Sequence, residues 1–198
     1  MHGLINRAVE RFARDTYGRE MWRGITQRLD LGFTEFEAML TYDDKITQDV
    51  LGELAVSLNK PLTEVLEDIG TYLVSHPGLE ALRRLLRFGG TDFVEFLHSL
   101  NDLPGRVRLA VPELALPVLE LEDHARDFYS LTVGPLPGGQ VAFGPVMMGL
   151  LRAMADDYGA LVFLEHKGRR AGHEIIEVRL LETAFASGRA FDLGAHLR

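Results

Sequence analysis

Apolar side chains recur at helical spacing through the first half of the chain. One stripe near the N-terminus consists of Leu4, Ile5, Ala8, Val9 and Phe12. Similar stripes follow in residues 46–58, 62–73 and 79–88, and prolines or glycines lie near several of their ends. Apolar residues three and four positions apart lie on one face of an α-helix. The pattern therefore predicts that residues 1 to about 112 are helical.

The periodicity changes after residue 112. Residues 118–122 and 128–133 alternate between apolar and polar side chains, and so do residues 160–166 and 174–181. Alternation of this kind is typical of half-buried strands, and short polar connections between paired segments indicate hairpins. Residues 146–158 return to helical spacing. The predicted fold is α+β, with an N-terminal helical subdomain followed by a C-terminal antiparallel sheet and a helix packed against it.

Composition narrows the classes of function. The 198 residues are 46% hydrophobic and 25% charged, which is typical of a soluble globular protein. A net charge of −8 argues against sequence-independent binding of nucleic acid. Charged residues in the first helix argue against a membrane span. Cysteine is absent, so thiolate metal sites and disulfides are excluded, and a reducing cytoplasm is the expected location. The sequence carries no recognised catalytic motif, and an enzyme is not expected.

The stretch from Phe93 to Pro104 combines an apolar helix face with an unusual residue. Phe96, Leu97, Leu100 and Leu103 continue the face that Phe93 begins, and Pro104 falls within about 20° of Phe93 on a helical wheel. Proline has no atom that binds a metal, and it also favours a helix stop at this point. His98 lies six residues earlier, which rotates it by about 120° and moves it by about 9 Å along the helix. We expect His98 on the polar face, as a solvated side chain or, with a different helix register, as a metal ligand.

Four stretches together resemble a known family. They are Met1-His-Gly-Leu-Ile-Asn-Arg-Ala8 with Tyr17-Gly-Arg-Glu-Met-Trp22, then Tyr42-Asp-Asp44, then Glu95-Phe-Leu-His-Ser-Leu-Asn-Asp-Leu-Pro104, and last Phe128-Tyr-Ser-Leu-Thr-Val-Gly134. Their order and spacing resemble the H-NOX (heme nitric oxide/oxygen binding) family, which includes the N-terminal heme domain of soluble guanylate cyclase. The resemblance implies one H-NOX-like domain over residues 1–185. Residues 1–65 would form its helical subdomain, residues 66–185 its α/β subdomain, and residues 186–198 a C-terminal tail.

The resemblance also implies heme as the cofactor and assigns positions around it. Pro104 stands where the family has the histidine that binds heme iron. Phe128, Ser130 and Thr132 stand where the family's tyrosine, serine and arginine bind the propionates, so only the serine is retained. Other positions in the implied heme pocket are Leu4, Ile5, Ala8, Val9, Leu100 and Pro117. The first four of these positions, Leu4 to Val9, offer no tyrosine hydroxyl, so nitric oxide would be favoured over oxygen if heme is bound.

Two functions remain open at this level. The first is a cytoplasmic, bacterial sensor domain that controls a signalling partner such as a diguanylate cyclase or a histidine kinase, with heme binding weakened by Pro104. The second is a heme-free module that binds a protein or a small apolar ligand on the same fold. Arg83, Arg84 and Arg87 are interpreted as a solvated helix face, and Asp156-Asp157 as a solvated helix end. Neither the membrane nor nucleic acid is an expected partner.

Overall fold

The computed structural model describes residues 1–136 and 141–191. Within them the chain forms eight α-helices and four β-strands, and the predicted α+β fold is confirmed. The helices are α1 Gly3–Tyr17, α2 Arg19–Arg28, α3 Asp44–Leu58, α4 Leu62–Ser75, α5 Glu80–Arg87, α6 Phe93–His98, α7 Leu103–Ala110 and α8 Gly144–Tyr158. The strands are β1 Leu119–Ala125, β2 Phe128–Val133, β3 Leu161–Arg170 and β4 His173–Glu182. No helix in these two ranges is both long and apolar enough to cross a bilayer.

Local signals explain where the first helices begin and end. His2 caps α1 by accepting a hydrogen bond from the backbone N–H of Leu4 through Nδ1. Gly18 separates α1 from α2 at φ 93°, a conformation that glycine adopts without a steric penalty. Asp43 caps α3, and Asn59 ends it in the left-handed region at φ 52°. These caps bond backbone groups at the helix ends, which have no partner within the helix.

The four strands form one antiparallel sheet in the order β1-β2-β4-β3. Its inner face carries buried apolar side chains from β2 and β4, including Leu131, Val133, Ile176 and Val178. These residues pack with α6, α8 and the turns around α7 in one hydrophobic core. The opposite face of the sheet is covered by none of these helices, and its side chains range from buried to exposed.

A second core lies among the first four helices, and α4 and α8 join the two. The helical core contains Phe12, Trp22, Leu54 and Leu66. Helix α4 contributes residues to both cores, so the predicted boundary between residues 65 and 66 lies inside a helix. The helices α4 and α8 cross at Gly70 and Gly149, where an added Cβ atom would collide with the backbone of the other helix.

The predicted C-terminal tail is partly folded onto the protein. The backbone N–H groups of Phe185 and Ala186 donate to the carbonyl of Gly159, and the N–H of Arg189 donates to the carbonyl of Asp157. The ring of Phe191 lies 4.9 Å from the guanidinium of Arg87. Residues 183–191 therefore lie against α5 and α8. The rest of the predicted tail, residues 192–198, lies outside the described residues.

Candidate functional site

The Phe93–Pro104 stretch covers the inner face of the sheet. Phe93, Phe96, Leu97, Leu100 and Leu103 are all at most 4% exposed, as the helical spacing predicted. The stretch is not one continuous helix, however. Helix α6 ends at His98, residues 99–102 form a 3₁₀ turn, and α7 begins at Leu103.

Pro104 is half-buried in the first turn of α7. The prediction that Pro104 ends a helix is therefore wrong, because it lies inside the start of a new one. The backbone N–H groups in the first turn of a helix have no carbonyl partner within that helix, so proline, which lacks an N–H, loses no hydrogen bond there. The fixed φ of proline also suits that position. Its side chain offers only carbon atoms, so this position supplies no ligand to a metal.

His98 does not bring an imidazole to the start of α7. Its side chain is 50% exposed, and Nε2 lies 3.8 Å from a carboxylate oxygen of Asp123 on β1. The edge of its ring faces Tyr129 at a centroid distance of 6.0 Å. The expected position on the polar side of the helix agrees with this geometry.

Four other histidines in the described ranges contact polar groups of this chain away from α7. His76 lies beside Asp15, His124 beside Ser130, His166 beside Glu174, and His173 beside the carbonyl of Ala171. His2 is different because its Nε2 is buried without a partner among the described residues. His2 lies before α1 rather than at α7, and its Nδ1 accepts from the N–H of Leu4. The residues present therefore do not fit a heme bound through histidine at the start of α7.

Phe128, Ser130 and Thr132 lie on the face of β2 that points away from the core. Strand alternation places them opposite Tyr129, Leu131 and Val133, which are buried beside Leu100 and Leu103. The guanidinium of Arg179 lies 5.1 Å above the Phe128 ring, and Ser130 Oγ lies 2.7 Å from Nε2 of His124. Phe128, Ser130 and Thr132 thus lie on the opposite face of the sheet from Leu100, with which the resemblance grouped them in one pocket. The sequence carried a signal for this face, because Tyr129, Leu131 and Val133 are the more apolar set.

The α1 positions divide between two environments. Val9 is 5% exposed and belongs to the helical core with Phe12. Leu4, Ile5 and Ala8 are only half-buried, and among the described residues they belong to neither core. Pro117 is buried immediately before β1. Leu4, Ile5 and Ala8 are thus the less buried part of the stripe.

Sequence reasoning missed a buried ionic cluster at the end of α8. Arg83 Nε donates to Asp157 Oδ1 at 2.8 Å, and the side chains are 6% and 0% exposed. The guanidinium of Arg87 lies 3.9 Å from the ring centroid of Tyr158 and 3.6 Å from Asp157. The interpretation of Arg83 as part of a solvated face, and of Asp157 as part of a solvated helix end, is wrong. The local sequence gives no sign of this pairing, because its partners are 74 residues apart.

Solved structures with the same fold are H-NOX proteins. An H-NOX protein from S. oneidensis in the Fe(II) state superposes with a TM-score of 0.78, at 18% identity, over 92% of this chain and 97% of the other. An H-NOX structure from T. tengcongensis gives a TM-score of 0.74 at 15% identity, over 93% of this chain and 100% of the other. At these low identities, the superpositions show a shared fold alone.

Sequence comparison gives the family. Soluble guanylate cyclase 89Db of Drosophila melanogaster is 24% identical over 121 residues, which are 61% of this chain and 18% of the cyclase. Soluble guanylate cyclase gcy-35 of Caenorhabditis elegans is 29% identical over 105 residues, 52% of this chain and 15% of the cyclase. This chain thus spans less than a fifth of the length of these relatives. The family model described as haem-NO-binding matches residues 2–166. The resemblance that the four sequence stretches indicated is confirmed, and the chain belongs to the haem-NO-binding family, whose domains bind heme and act as sensors.

Proposed function

We propose that this chain is a regulatory domain of the haem-NO-binding family that does not coordinate heme iron through a histidine on α7. The observation that carries the proposal is Pro104, a half-buried residue without a ligand atom at the position where the family resemblance implies the iron ligand. The exposed position of His98 supports it. Heme that entered such a site would depend on another axial ligand or on water, and would bind more weakly than with a histidine ligand.

The crossing of α4 and α8 supports a regulatory role. The two helices meet backbone to backbone at Gly70 and Gly149, and α4 contributes to both hydrophobic cores. Because packed interiors transmit strain rather than absorb it, a displacement of the helical part would reach the sheet through this contact. We propose that such a displacement controls a signalling partner, such as a diguanylate cyclase or a histidine kinase, in the cytoplasm.

A second candidate function is a heme-free module on the same fold. The side chains that the resemblance places around the pocket are largely apolar, and Leu4, Ile5 and Ala8 are half-buried outside both cores. An apolar wall without metal ligands suits a small apolar ligand or an apolar segment of a partner. In this second candidate the domain is still regulatory, but it detects an apolar ligand or partner segment instead of a gas bound to heme.

Titration of the purified chain with ferrous heme, followed by absorption spectroscopy, tests the main proposal. We expect a broad spectrum for the wild type and for His98→Ala. Pro104→His should yield a sharp Soret band that shifts when nitric oxide is added, because it restores an imidazole at the start of α7. Pro112→His, at an exposed proline outside the helix, controls for the mere addition of a histidine. A sharp, nitric oxide-sensitive band in the wild type would refute the proposal.

The second candidate is tested by a fluorescent apolar probe. If the α1 face that Leu4, Ile5 and Ala8 share binds the probe, the bulky ring of Ala8→Phe should obstruct that face and weaken binding at least tenfold. Ala110→Phe, at an exposed residue of α7, should leave the affinity unchanged. Equal affinities in the wild type and Ala8→Phe would exclude the α1 face as the binding surface.

A further inference from the structure

A polar cleft of about 430 Å³ lies between α1, the start of α2, and the end of α4 with the turn that follows it. Four arginines line it: Arg7, Arg11, Arg14 and Arg19. The first three recur at i, i+4 and i+7, so they share one face of α1. A concentration of guanidinium groups is unexpected in a chain whose net charge is −8.

The carboxylates of the cleft already have partners. Glu10 is 3% exposed, and it accepts from Arg14 at 2.6 Å and from the N–H of Phe36 at 2.8 Å. Glu35 also accepts from Arg14, at 3.0 Å. Asp15 accepts from the hydroxyl of Tyr72 at 2.5 Å. The negative charges in the cleft are therefore directed mainly toward Arg14 and Tyr72.

Three guanidinium groups remain without a carboxylate. In residues 1–136 and 141–191, no ion pair involves Arg7, Arg11 or Arg19. Arg11 and Arg19 are exposed, and Arg7 makes one long hydrogen bond, to the carbonyl of Phe36 at 3.4 Å. These side chains can turn toward a bound anion without breaking an ion pair.

One wall of the cleft is aromatic and packs against the helical core. The rings of Tyr72 and His76 lie 4.7 Å apart at an angle of 32°, and Tyr72 also packs against Phe12 in the helical core. His76 Nδ1 accepts from the N–H of Gly78, and its Nε2 lies 3.7 Å from a carboxylate oxygen of Asp15. The wall is held in place before any ligand arrives, which lowers the entropic cost of binding.

We propose that this cleft binds the phosphate group of a small molecule. A guanidinium presents a planar fork of donors that matches phosphate, and up to three such forks are available here. The cleft volume falls in the range of about 300–1,000 Å³ that is typical of small-molecule sites. It leaves room beside the phosphate for an organic part against the Tyr72 and His76 rings. The site is separate from Pro104 and does not depend on the heme proposal.

Isothermal titration calorimetry of the full chain at low salt tests the site with inorganic phosphate and with ribose 5-phosphate. We expect binding of both, tighter for the ester if the aromatic wall takes part. Arg11→Gln and Arg19→Gln should each weaken binding about tenfold, since each removes charged hydrogen bonds. Arg23→Gln is the matched control, because Arg23 is exposed on α2, pairs with Glu20 and does not line the cleft.

Several results would overturn the proposal. They are the absence of binding of either probe at about 10 mM, an equal loss of affinity in Arg23→Gln and Arg11→Gln, or acetate binding as tightly as phosphate. Circular dichroism of each variant establishes that it is folded. Pro104→His should retain the phosphate affinity of the wild type, so failure of this site and failure of the heme proposal are distinguishable.

Discussion

Substitution of Gly149 tests whether the backbone contact between α4 and α8 holds the two cores together. A Cβ atom at Gly149 would lie 1.9 Å from the carbonyl oxygen of Glu67, whereas ordinary contact begins at 3.4 Å. Gly149→Ala therefore requires a shift of about 1.5 Å in the backbone of a helix, since no flexible side chain can move aside. The same substitution removes a glycine from a helix interior, which by itself is favourable.

The two effects oppose each other, and the steric one should dominate. Replacing glycine by alanine in a helix contributes about 1 kcal/mol of stability. Overpacking of a well-packed interior costs about 1–3 kcal/mol and sometimes more, and here the collision is with backbone. We expect Gly149→Ala to lower the free energy of unfolding by about 2 kcal/mol. For a chain of this size that corresponds to a fall in Tm of about 4–8 °C.

Thermal denaturation of two variants separates the effects. Gly52→Ala is the matched control, because Gly52 lies inside α3 and a Cβ atom there would meet nothing within 4 Å. It should raise Tm by about 2–4 °C through helix propensity alone. If Gly149→Ala raises Tm to the same extent as Gly52→Ala, the close approach of α4 and α8 is refuted.

Three further perturbations test other contacts. Glu174→Gln weakens the bonds that this buried carboxylate accepts from the N–H groups of residues 143 and 144 at the start of α8. It should lower the free energy of unfolding in urea by about 1–3 kcal/mol. Asp157→Asn removes the buried counter-ion of Arg83 and leaves it only the more exposed Glu80, so it should cost about 3 kcal/mol in the same assay. Asp156→Asn on the exposed neighbour should change stability by less than about 0.5 kcal/mol. Burial raises the pKa of Tyr158 to about 12 from its ordinary value of 10.0. The unfolded chain thus loses this proton first, stability falls as pH rises from about 10 to about 12, and Tyr158→Phe should reduce that fall in a pH series of Tm.

Periodicity predicted the elements because the signals that form them are local. The apolar face of residues 93–103 is buried as its helical spacing indicated, and the alternating segments are the four strands. The break at residues 99–102 was not predicted, because the apolar spacing continues through the 3₁₀ turn. Pro104 then had two local interpretations, as the end of one helix or the start of the next, and the structure has the second.

The parts that sequence did not predict depend on distant partners. Whether Phe128 or Tyr129 faces the core is decided by which side of the sheet the helices cover. The more apolar set that contains Tyr129 favours its own face, but the strand by itself does not determine the choice. The burial of Asp157 depends on Arg83 and on the backbone of residues 189–190, which reach it from other parts of the chain. The cleft at Arg11 likewise needs the end of α4 beside α1. Each of these features is created by tertiary packing.

Packing and ligand chemistry place separate demands on the stretch from Phe93 to Pro104. Phe93, Phe96 and Leu100 must remain apolar because they fill the core against the sheet, whatever the domain binds. Residue 104 lies beside that core in a helical first turn, a position whose backbone accepts proline at little cost. A ligand residue can therefore be replaced there while the fold that surrounds it is retained. For this reason the sequence match over residues 2–166 identifies the family, while in our proposal the capacity to coordinate iron depends on the single side chain at position 104. Pro104→His changes that side chain and leaves the core residues in place. If that variant alone gains heme coordination, the fold does not require an iron ligand, and residue 104 decides whether iron is coordinated.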